Sequence, residues 1–124
     1  MNQLKKNNIK NIVVITINAT QNNTLILAKG IMGNFIGSAS LGMAIKNKRG
    51  KGSVLLGAQI SSEILLTKLL ELGYLRAYIK VKGFGRGRDS ALFGLASSDL
   101  IVEHLIDVTP MPHNGCRLKK SRRI

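Results

Sequence analysis

The sequence predicts one α/β domain, in which two helices flank a mixed β-sheet and a basic, extended C-terminal tail follows. Three observations lead to this fold class. Extended, β-branched segments alternate with segments of helical periodicity. The 124 residues match the size of one domain with one core. The last residues combine prolines with a run of cations. We therefore predict a flexible basic N-terminal extension over residues 1–11, the domain over 12–108 and the tail over 109–124.

The first elements are predicted to be strands. Residues 12–19 are nearly all β-branched, and residues 24–28 repeat this character after a polar turn that contains Asn22 and Asn23. Two such runs around a short polar turn indicate a hairpin. A third extended segment is expected around residues 35–44, and residues 46–52 form a glycine-containing basic loop.

A long helix is predicted from Val54 to Leu72, with Ser53 as its N-cap and Gly73 as its stop. Apolar and small residues recur at helical spacing, and polar residues four apart form an opposite ridge. The inward positions are Leu55, Ala58, Ser62, Leu65, Leu66 and Leu69, and the ridge is Gln59, Glu63, Thr67 and Glu71.

The remaining elements alternate. From Leu75 to Lys82, apolar positions alternate with mostly basic ones, which predicts a half-buried strand with a basic outer face. A loop over Gly83 to Arg88 follows, and Asp89 is predicted to cap a short helix that ends at Ala96. The last strand is expected from Ile101 to Val108.

The charge of the chain favours a polyanionic partner. Its formal net charge is +13, from 19 Lys and Arg against 6 Asp and Glu, and no acid precedes Glu63. A small domain with such a field usually meets nucleic acid or an anionic membrane. No apolar run reaches the roughly 20 residues of a membrane span, so nucleic acid is the favoured partner. Cys116 is the only cysteine, which excludes an intrachain disulfide and leaves a zinc site short of ligands.

Three segments concentrate the cations: the basic loop, the glycine-rich loop and the tail. In the glycine-rich loop, small residues between a strand and a helix would let backbone amides approach phosphate, and the helix start adds a partial positive charge. The alternative is an ordinary flexible turn with solvated charges. A dinucleotide site is disfavoured because the Gly-x-Gly-x-Gly spacing differs from the required pattern. Aromatic residues are scarce, and Phe84 is the candidate for base stacking.

The tail cannot be a packed core element. Pro110 and Pro112 remove backbone donors and favour extended chain, and Asn114-Gly115 is a turn pair. Since glycine leaves its amide nitrogen unobstructed, that nitrogen can attack the Asn114 side-chain carbonyl. We therefore predict isoaspartate formation at Asn114.

No set of residues predicts catalysis, a metal or a cofactor. Asp99, Glu103 and Asp107 share one parity and would face one side of extended chain, whereas a two-metal site needs carboxylates that converge from different elements. We expect these acids to pair with basic neighbours or to lie at the surface. His113 and Cys116 lie in an extended tail with no rigid surroundings to orient them. The sequence therefore favours a structural RNA-binding protein or a free-standing basic RNA-binding module over a metal-dependent nuclease.

Four ordered motifs carry a resemblance to a known family. They are Asn18–Thr24 around the first turn, Gly57–Gln59 in the long helix, Val81–Ala91 around the glycine-rich loop and Ile106–Arg117 in the tail. The chain resembles the small-subunit ribosomal protein S11 (uS11) family over nearly its whole length after Asn11. It departs from bacterial members at Phe84 and Arg86, which replace prolines, and over Lys48–Leu55, which lacks their Arg-Lys-Ser-Thr-Pro pattern.

This resemblance implies a ribonuclease-H-like fold of the S11/L18 type without catalytic acids. It implies a structural constituent of the small ribosomal subunit that binds rRNA on the platform, near the mRNA exit and E site. Neighbours would be proteins of the S6, S18 and S7 families, with mRNA nearby and no membrane. Many Ile, Asn and Lys residues suggest an AT-biased gene, so we expect a mitochondrial ribosome, with a plastid or bacterial cytoplasmic ribosome as the alternative.

The predicted RNA contacts combine the first turn, both loops and the tail. They are Asn22, Asn23, Lys46, Lys48, Arg49, Lys51, Lys82, Gly83, Phe84, Gly85, Arg86, Gly87, Arg88, His113, Asn114, Gly115, Arg117, Lys119, Lys120, Arg122 and Arg123.

Overall fold

A computed structural model describes residues 12–40, 54–97 and 99–124. Its elements follow the predicted α/β order. They are strands β1 (Ile12–Ala19), β2 (Thr24–Gly30) and β3 (Phe35–Ser40), helix α1 (Val54–Glu71), strand β4 (Arg76–Lys82), helix α2 (Arg88–Ala96) and strand β5 (Ile101–Asp107). Predictions for the extension 1–11, the basic loop 46–52, the cap Ser53 and the end of the third extended segment (41–44) lie outside the described residues.

The strands form one five-stranded sheet in the order β3-β2-β1-β4-β5. β1 pairs with β2 and β2 with β3 in antiparallel fashion, whereas β1 pairs with β4 and β4 with β5 in parallel. The sheet is therefore mixed, as predicted. Because β1, β4 and β5 run in the same direction, their last residues meet at one side of the sheet, which we call the carboxyl edge.

The core lies on one face of the sheet. Alternate residues of β1 and β4 are buried there, and both helices contribute residues that are no more than 5% exposed. Burial of each large aliphatic side chain contributes about 1.5–3 kcal/mol to stability. The core residues of these four elements are Val13, Ile15, Ile17, Ala58, Leu65, Leu66, Leu69, Ala77, Ile79, Val81, Ala91 and Leu95.

Helix α1 confirms the predicted periodicity and ends one residue early. Its polar ridge is exposed or half-buried, and Gln59 Nε2 donates to Glu63 Oε1 over 3.3 Å. Gly73 has a φ of +90°, a left-handed conformation in which the Gly73 and Tyr74 amides reach back to carbonyl oxygens of the last helical turn. The predicted stop is thus a helix C-terminal motif that favours glycine.

Three local predictions are wrong. Leu75 precedes β4 and is 54% exposed, because the chain is still leaving the turn at Gly73. Asp89 is not the cap of α2: the helix begins at Arg88, and Gly87 takes the cap position without a side-chain bond. Asp89 lies in the first turn, where its negative charge suits the helix dipole. Val108 lies just beyond β5, although its amide still donates to the Val81 carbonyl over 2.8 Å.

Strand β5 is an exposed edge of the sheet. Every residue from Ile101 to Asp107 is exposed, including Ile101 at 57% and Leu105 at 61%. Its pairing with β4 shifts register between Ala77 and Tyr78, which changes the side of the sheet that successive residues face. The regular two-residue alternation seen in β4 is therefore lost in this strand.

Candidate nucleic-acid interface

Three predicted RNA-contacting segments meet at the carboxyl edge. The β1–β2 turn follows β1, the glycine loop (residues 83–87) follows β4, and the tail follows β5. Backbone bonds join them: the Gly85 amide donates to the Ala19 carbonyl over 3.1 Å, and the Gly83 amide donates to Thr109 Oγ1 over 3.1 Å. Parallel pairing of β1, β4 and β5 places these three segments side by side.

The β1–β2 turn is held by Asn23. Its carbonyl accepts from the Thr20 amide at 2.8 Å and from the Thr20 hydroxyl at 2.9 Å, and its side-chain oxygen accepts from the Thr24 amide at 2.8 Å. Asn22 is exposed at the tip. Of the two predicted contacts, Asn22 presents its side chain to solvent, whereas the Asn23 side-chain oxygen is committed within the turn.

The glycines of the loop serve close packing against this turn. A Cβ on Gly83 would collide with the Ala19 carbonyl, and one on Gly85 with the Thr20 carbonyl. A Cβ on Gly87 would meet the Thr24 hydroxyl. Gly83 also has a φ of +92°, which favours glycine.

Two loop amides are therefore used within the protein, since Gly83 donates to Thr109 and Gly85 to Ala19. Fewer backbone amides of the loop therefore remain for the predicted phosphate contact. The loop and the residue before it present side chains to solvent instead. Lys82 at the end of β4 and Arg86 in the loop are exposed, and Phe84 is 81% exposed.

Arg88 organises the loop from the first turn of α2. One guanidinium nitrogen donates to the Gly83 carbonyl at 3.0 Å, and the other forms an ion pair with Asp107 at 3.2 Å. The guanidinium carbon lies 5.5 Å from the centroid of the Phe84 ring, a cation–π contact. Arg88 was predicted as an RNA contact, but its guanidinium makes three contacts within the protein.

Asp107 and Thr109 fasten the start of the tail to the loop. Asp107 Oδ1 accepts from the Thr109 amide at 3.0 Å and from the Thr109 hydroxyl at 2.6 Å, while Oδ2 accepts from Arg88. We call these two residues with Arg88 and Gly83 the Asp107 clasp. The Thr109 hydroxyl and amide, with the Arg88 guanidinium, hold the pKa of the Asp107 carboxyl below its ordinary value of 3.8.

Sequence reasoning did not identify this clasp. It placed Asp107 within the last predicted strand, one residue before its end, and treated it as one carboxylate of a disfavoured metal site. The usable signal was the spacing Asp-x-Thr at a strand end, since an aspartate commonly accepts a bond from the amide two residues on. The partners Gly83 and Arg88 are distant in sequence and could not be found in this way.

The tail carries the largest set of exposed cations in the described residues. Residues 109–124 contain no helix or strand, and apart from half-buried Thr109 all are exposed. Asn114 has a φ of 56°, the left-handed conformation expected of an Asn-Gly turn. The cations of the tail are Arg117, Lys119, Lys120, Arg122 and Arg123. The basic loop of Lys46, Lys48, Arg49 and Lys51 lies outside the described residues.

The two acids of β5, Glu103 and Asp107, form ion pairs with basic neighbours, as expected from the sequence. Glu103 pairs with Arg76 at 3.2 Å, and Asp107 pairs with Arg88. Within residues 12–40, 54–97 and 99–124, no group of three or more His, Cys, Asp or Glu side chains could hold a metal ion. None of the helices over these ranges is long and apolar enough to cross a membrane.

Comparison with known proteins gives one consistent result. A family model described as ribosomal protein S11 matches residues 13–123. The small ribosomal subunit protein uS11 of Borreliella burgdorferi (strain ZS7) is 40% identical over 110 residues, which cover 89% of this chain and 84% of that protein. uS11c of Zygnema circumcarinatum is 41% identical over 111 residues (90% and 85%), and uS11m of Prototheca wickerhamii is 36% identical over 114 residues (90% and 86%).

Proposed function

The chain belongs to the ribosomal protein S11 family, and from that membership we propose that it binds small-subunit rRNA on the platform, near the mRNA exit and the E site. As a member it is a structural constituent of the small ribosomal subunit and not an enzyme. Its location is therefore the ribosome. The fold agrees with this family, since the described part of the chain is α/β, with a mixed sheet and two helices.

One observation carries the rRNA proposal: the Asp107 clasp ties the glycine loop to the start of the cationic tail. Lys82 and Arg86 flank Gly83, the loop residue of the clasp, and the tail cations follow Thr109 in the chain. Phosphate contacts fix a protein on RNA without reading bases, and most RNA-binding affinity of a strongly basic domain comes from them. Two cationic segments that are joined at one fixed point can meet phosphates of more than one part of an RNA fold.

The remaining predicted contacts fit the same arrangement. Asn22 is exposed beside the glycine loop, and His113 and Gly115 lie in the exposed tail before Arg117. We propose that residues 110–116 set the direction in which the tail cations enter rRNA. The basic loop over 46–52 is proposed as a further contact on its sequence alone.

The compartment and the neighbouring proteins are proposed from family membership and composition. The relatives span bacterial, chloroplast and mitochondrial ribosomes. The abundance of Ile, Asn and Lys favours a mitochondrial ribosome among these. The family resemblance supports proteins of the S6, S18 and S7 families as neighbours, with mRNA close by.

Deletion of residues 114–124 tests the proposal. The domain should stay folded, because the deleted residues are exposed and the clasp residue Thr109 is retained. The truncated chain should co-sediment with small subunits much more weakly than the full chain, with circular dichroism as the control for folding. A substitution of Arg117, Lys119, Lys120, Arg122 and Arg123 by Gln tests charge without shortening the chain. Undiminished co-sedimentation of both variants would contradict the role of the tail.

A further inference from the structure

The face of the sheet opposite the core is left uncovered by the helices of the described residues. Its side chains have the opposite parity to the core positions: Arg76, Lys80 and Lys82 of β4 are exposed, and Tyr78 is half-buried. The same parity on β2 exposes Leu25 and Lys29. We call this side of the sheet the open face. Sequence reasoning predicted a basic outer face for β4 but assigned RNA binding to Lys82 alone among the residues of that face.

Strand register assembles the open face into rows that cross the sheet. One row runs through residues paired in sequence across all five strands: Phe35, Lys29, Val14, Tyr78 and His104. At a strand spacing of roughly 4.8 Å, this row spans about 19 Å. The next row contains Thr16 and Lys80, and the third contains Asn18 and Lys82. Each row therefore carries a lysine.

The first row also carries rings. The Tyr78 and His104 rings lie 5.0 Å apart, centroid to centroid, and are tilted by 40°. Phe35, at the other end of the row, is 64% exposed, and Lys29 lies next to it. A half-buried tyrosine supported by an exposed histidine gives an aromatic ring face on which an unpaired base can stack.

The charge of this face favours RNA over protein. Of the two acids in the strands, Glu103 is paired with Arg76 and Asp107 with Arg88. Lys29 and Lys80 are exposed cations in rows that also contain rings, Thr16 and the aliphatic side chains of Val14, Leu27 and Ile106. Lysine interleaved with aromatic rings is the composition of surfaces that bind single-stranded nucleic acid.

The open face is also continuous with the interface at the carboxyl edge. The outward positions of β4 run from Tyr78 through Lys80 to Lys82, at intervals of about 6.6 Å. Lys82 is followed directly by the glycine loop. An RNA strand at that loop can therefore continue along β4 without leaving a cationic surface.

We propose that the open face is a second RNA-binding surface, specific for unpaired nucleotides. A base stacks on Tyr78 and His104, and phosphates on either side meet Lys80 and Lys29. This inference rests on the proposed rRNA function and deepens it, because it separates a stacking surface on the sheet from the phosphate contacts of the loop and tail.

Affinity for a short RNA tests the stacking position. The probe is a labelled single-stranded oligoadenylate of about twelve nucleotides, titrated with the full chain. Tyr78→Leu should weaken binding about tenfold, whereas Tyr78→Phe keeps the ring and should restore wild-type affinity. Phe93→Leu is the matched control, since Phe93 is an exposed ring on α2 (64% exposed) and should leave affinity unchanged.

The salt dependence of binding tests the lysines. Lys80→Gln and Lys29→Gln should each reduce the slope of log affinity against log salt by about 0.7, the loss of one phosphate contact on a single strand. Lys68→Gln removes the same charge from an exposed position on α1, on the opposite side of the sheet, and should leave the slope unchanged.

Tyrosine fluorescence gives a readout that a merely structural role would not produce. The chain has two tyrosines and no Trp, so Tyr74→Phe leaves Tyr78 as the only fluorophore of this type. Stacking of adenine on Tyr78 should quench its emission as RNA is added. Thermal melts followed by circular dichroism identify any variant that does not fold.

The outcomes separate this inference from the proposed function. If tail deletion lowers RNA affinity while Tyr78→Leu, Lys80→Gln and Tyr78 emission show no effect, the open face does not bind RNA. The inference would then be overturned while the rRNA proposal stood. If the wild-type chain fails to bind RNA or small subunits, both proposals are wrong.

Discussion

Asp107 connects two segments of the proposed interface through its two carboxylate oxygens. One oxygen accepts both bonds from Thr109, and the other accepts the bond from Arg88. Thr109 in turn accepts from the Gly83 amide, so the start of the tail and the glycine loop depend on a single side chain. A change at this one residue is therefore expected to affect both segments.

Asp107→Asn should lower the thermal midpoint at pH 7, because the amide loses the charge that attracts Arg88. The pKa of Asp107 is held below 3.8, mainly by the Thr109 hydroxyl, so the carboxylate stabilises the fold above the pKa of the unfolded chain. This contribution is lost as pH falls through the folded-state pKa. The gap between wild type and Asp107→Asn should thus close as the pH falls below about 4 in thermal melts.

Glu103→Gln is the matched control for that experiment. Glu103 is also a strand acid paired with one arginine, but it does not touch the tail or the glycine loop. Its substitution should have the smaller effect. A gap between wild type and Asp107→Asn that stays constant from pH 7 to about 3 would contradict the role of the charge.

Asn114 is the second residue with a specific expected behaviour. It is exposed, has a φ of 56° and precedes Gly115, whose own Cβ position would meet nothing closer than Pro112 at 3.5 Å. The glycine carries no side chain that would obstruct attack by its amide nitrogen on the Asn114 side-chain carbonyl. We predict isoaspartate at Asn114, seen by mass spectrometry of the tail peptide as a gain of about one dalton, since OH replaces the side-chain NH₂.

Gly115→Ala is the control for this reaction, because a methyl group on residue 115 hinders attack by its amide. The modified fraction should fall in that variant and persist in a variant such as Ser121→Ala, which alters the tail elsewhere. An unmodified wild-type peptide after prolonged incubation at neutral pH would count against the prediction.

Among the elements, the glycine loop depends most strongly on contact with another segment. Its glycines are needed where the loop approaches the backbone of the β1–β2 turn, and this turn is itself closed by Asn23. The loop and the turn therefore form one packed unit at the carboxyl edge. Because the loop backbone packs against the turn, the Arg86 side chain of the loop is exposed to solvent.

Gly85→Ala should lower the free energy of unfolding by about 2 kcal/mol, since its Cβ would collide with the Thr20 carbonyl and the turn must shift. Gly73→Ala separates strain from collision: Gly73 has a φ of +90° with no atom within 4 Å, so it should cost only about 1 kcal/mol. Urea unfolding measures both values. A Gly85→Ala variant as stable as Gly115→Ala would show that the loop can retreat freely.

The elements with strong periodicity were predicted well. The helix over 54–72 is observed as Val54–Glu71, and the alternation in β4 is observed at Ala77, Ile79 and Val81. Both depend on local spacing, which the sequence contains in full. The wrong cap at Asp89 has a different origin: Gly87 is needed against Thr24 and Ala58, so a tertiary contact decides where α2 begins.

At the scale of the whole molecule, sequence reasoning identified the cationic segments but not their arrangement. Charge and glycine content are readable along the chain, whereas the meeting of turn, loop and tail requires the parallel pairing of β1 with β4 and β4 with β5. The row from Phe35 to His104 depends on register across all five strands. Only Phe84 was singled out for stacking, because Tyr78 and His104 become neighbours only in the folded sheet.

The molecule as a whole is polarised. Over the described residues, the core and both helices lie on one side of the sheet, while the open face and the carboxyl edge carry Lys29, Lys80, Lys82 and Arg86. The sheet between them fixes the relative positions of the glycine loop, the start of the tail and the open face. Binding to RNA therefore needs little reordering of the described domain, and the ordering cost falls mainly on the tail.

The exposed strand β5 has a consequence for the chain before assembly. Its outer edge offers backbone donors and acceptors to any passing strand, and the side chains of Ile101, Leu105 and Ile106 are 44–61% exposed. Such an edge is a template for edge-to-edge pairing and aggregation. Newly made copies are protected from one another by their shared positive charge, and this protection ends wherever polyanions screen it. Synthesis in step with subunit assembly would keep the pool of unassembled chains, and hence this hazard, small.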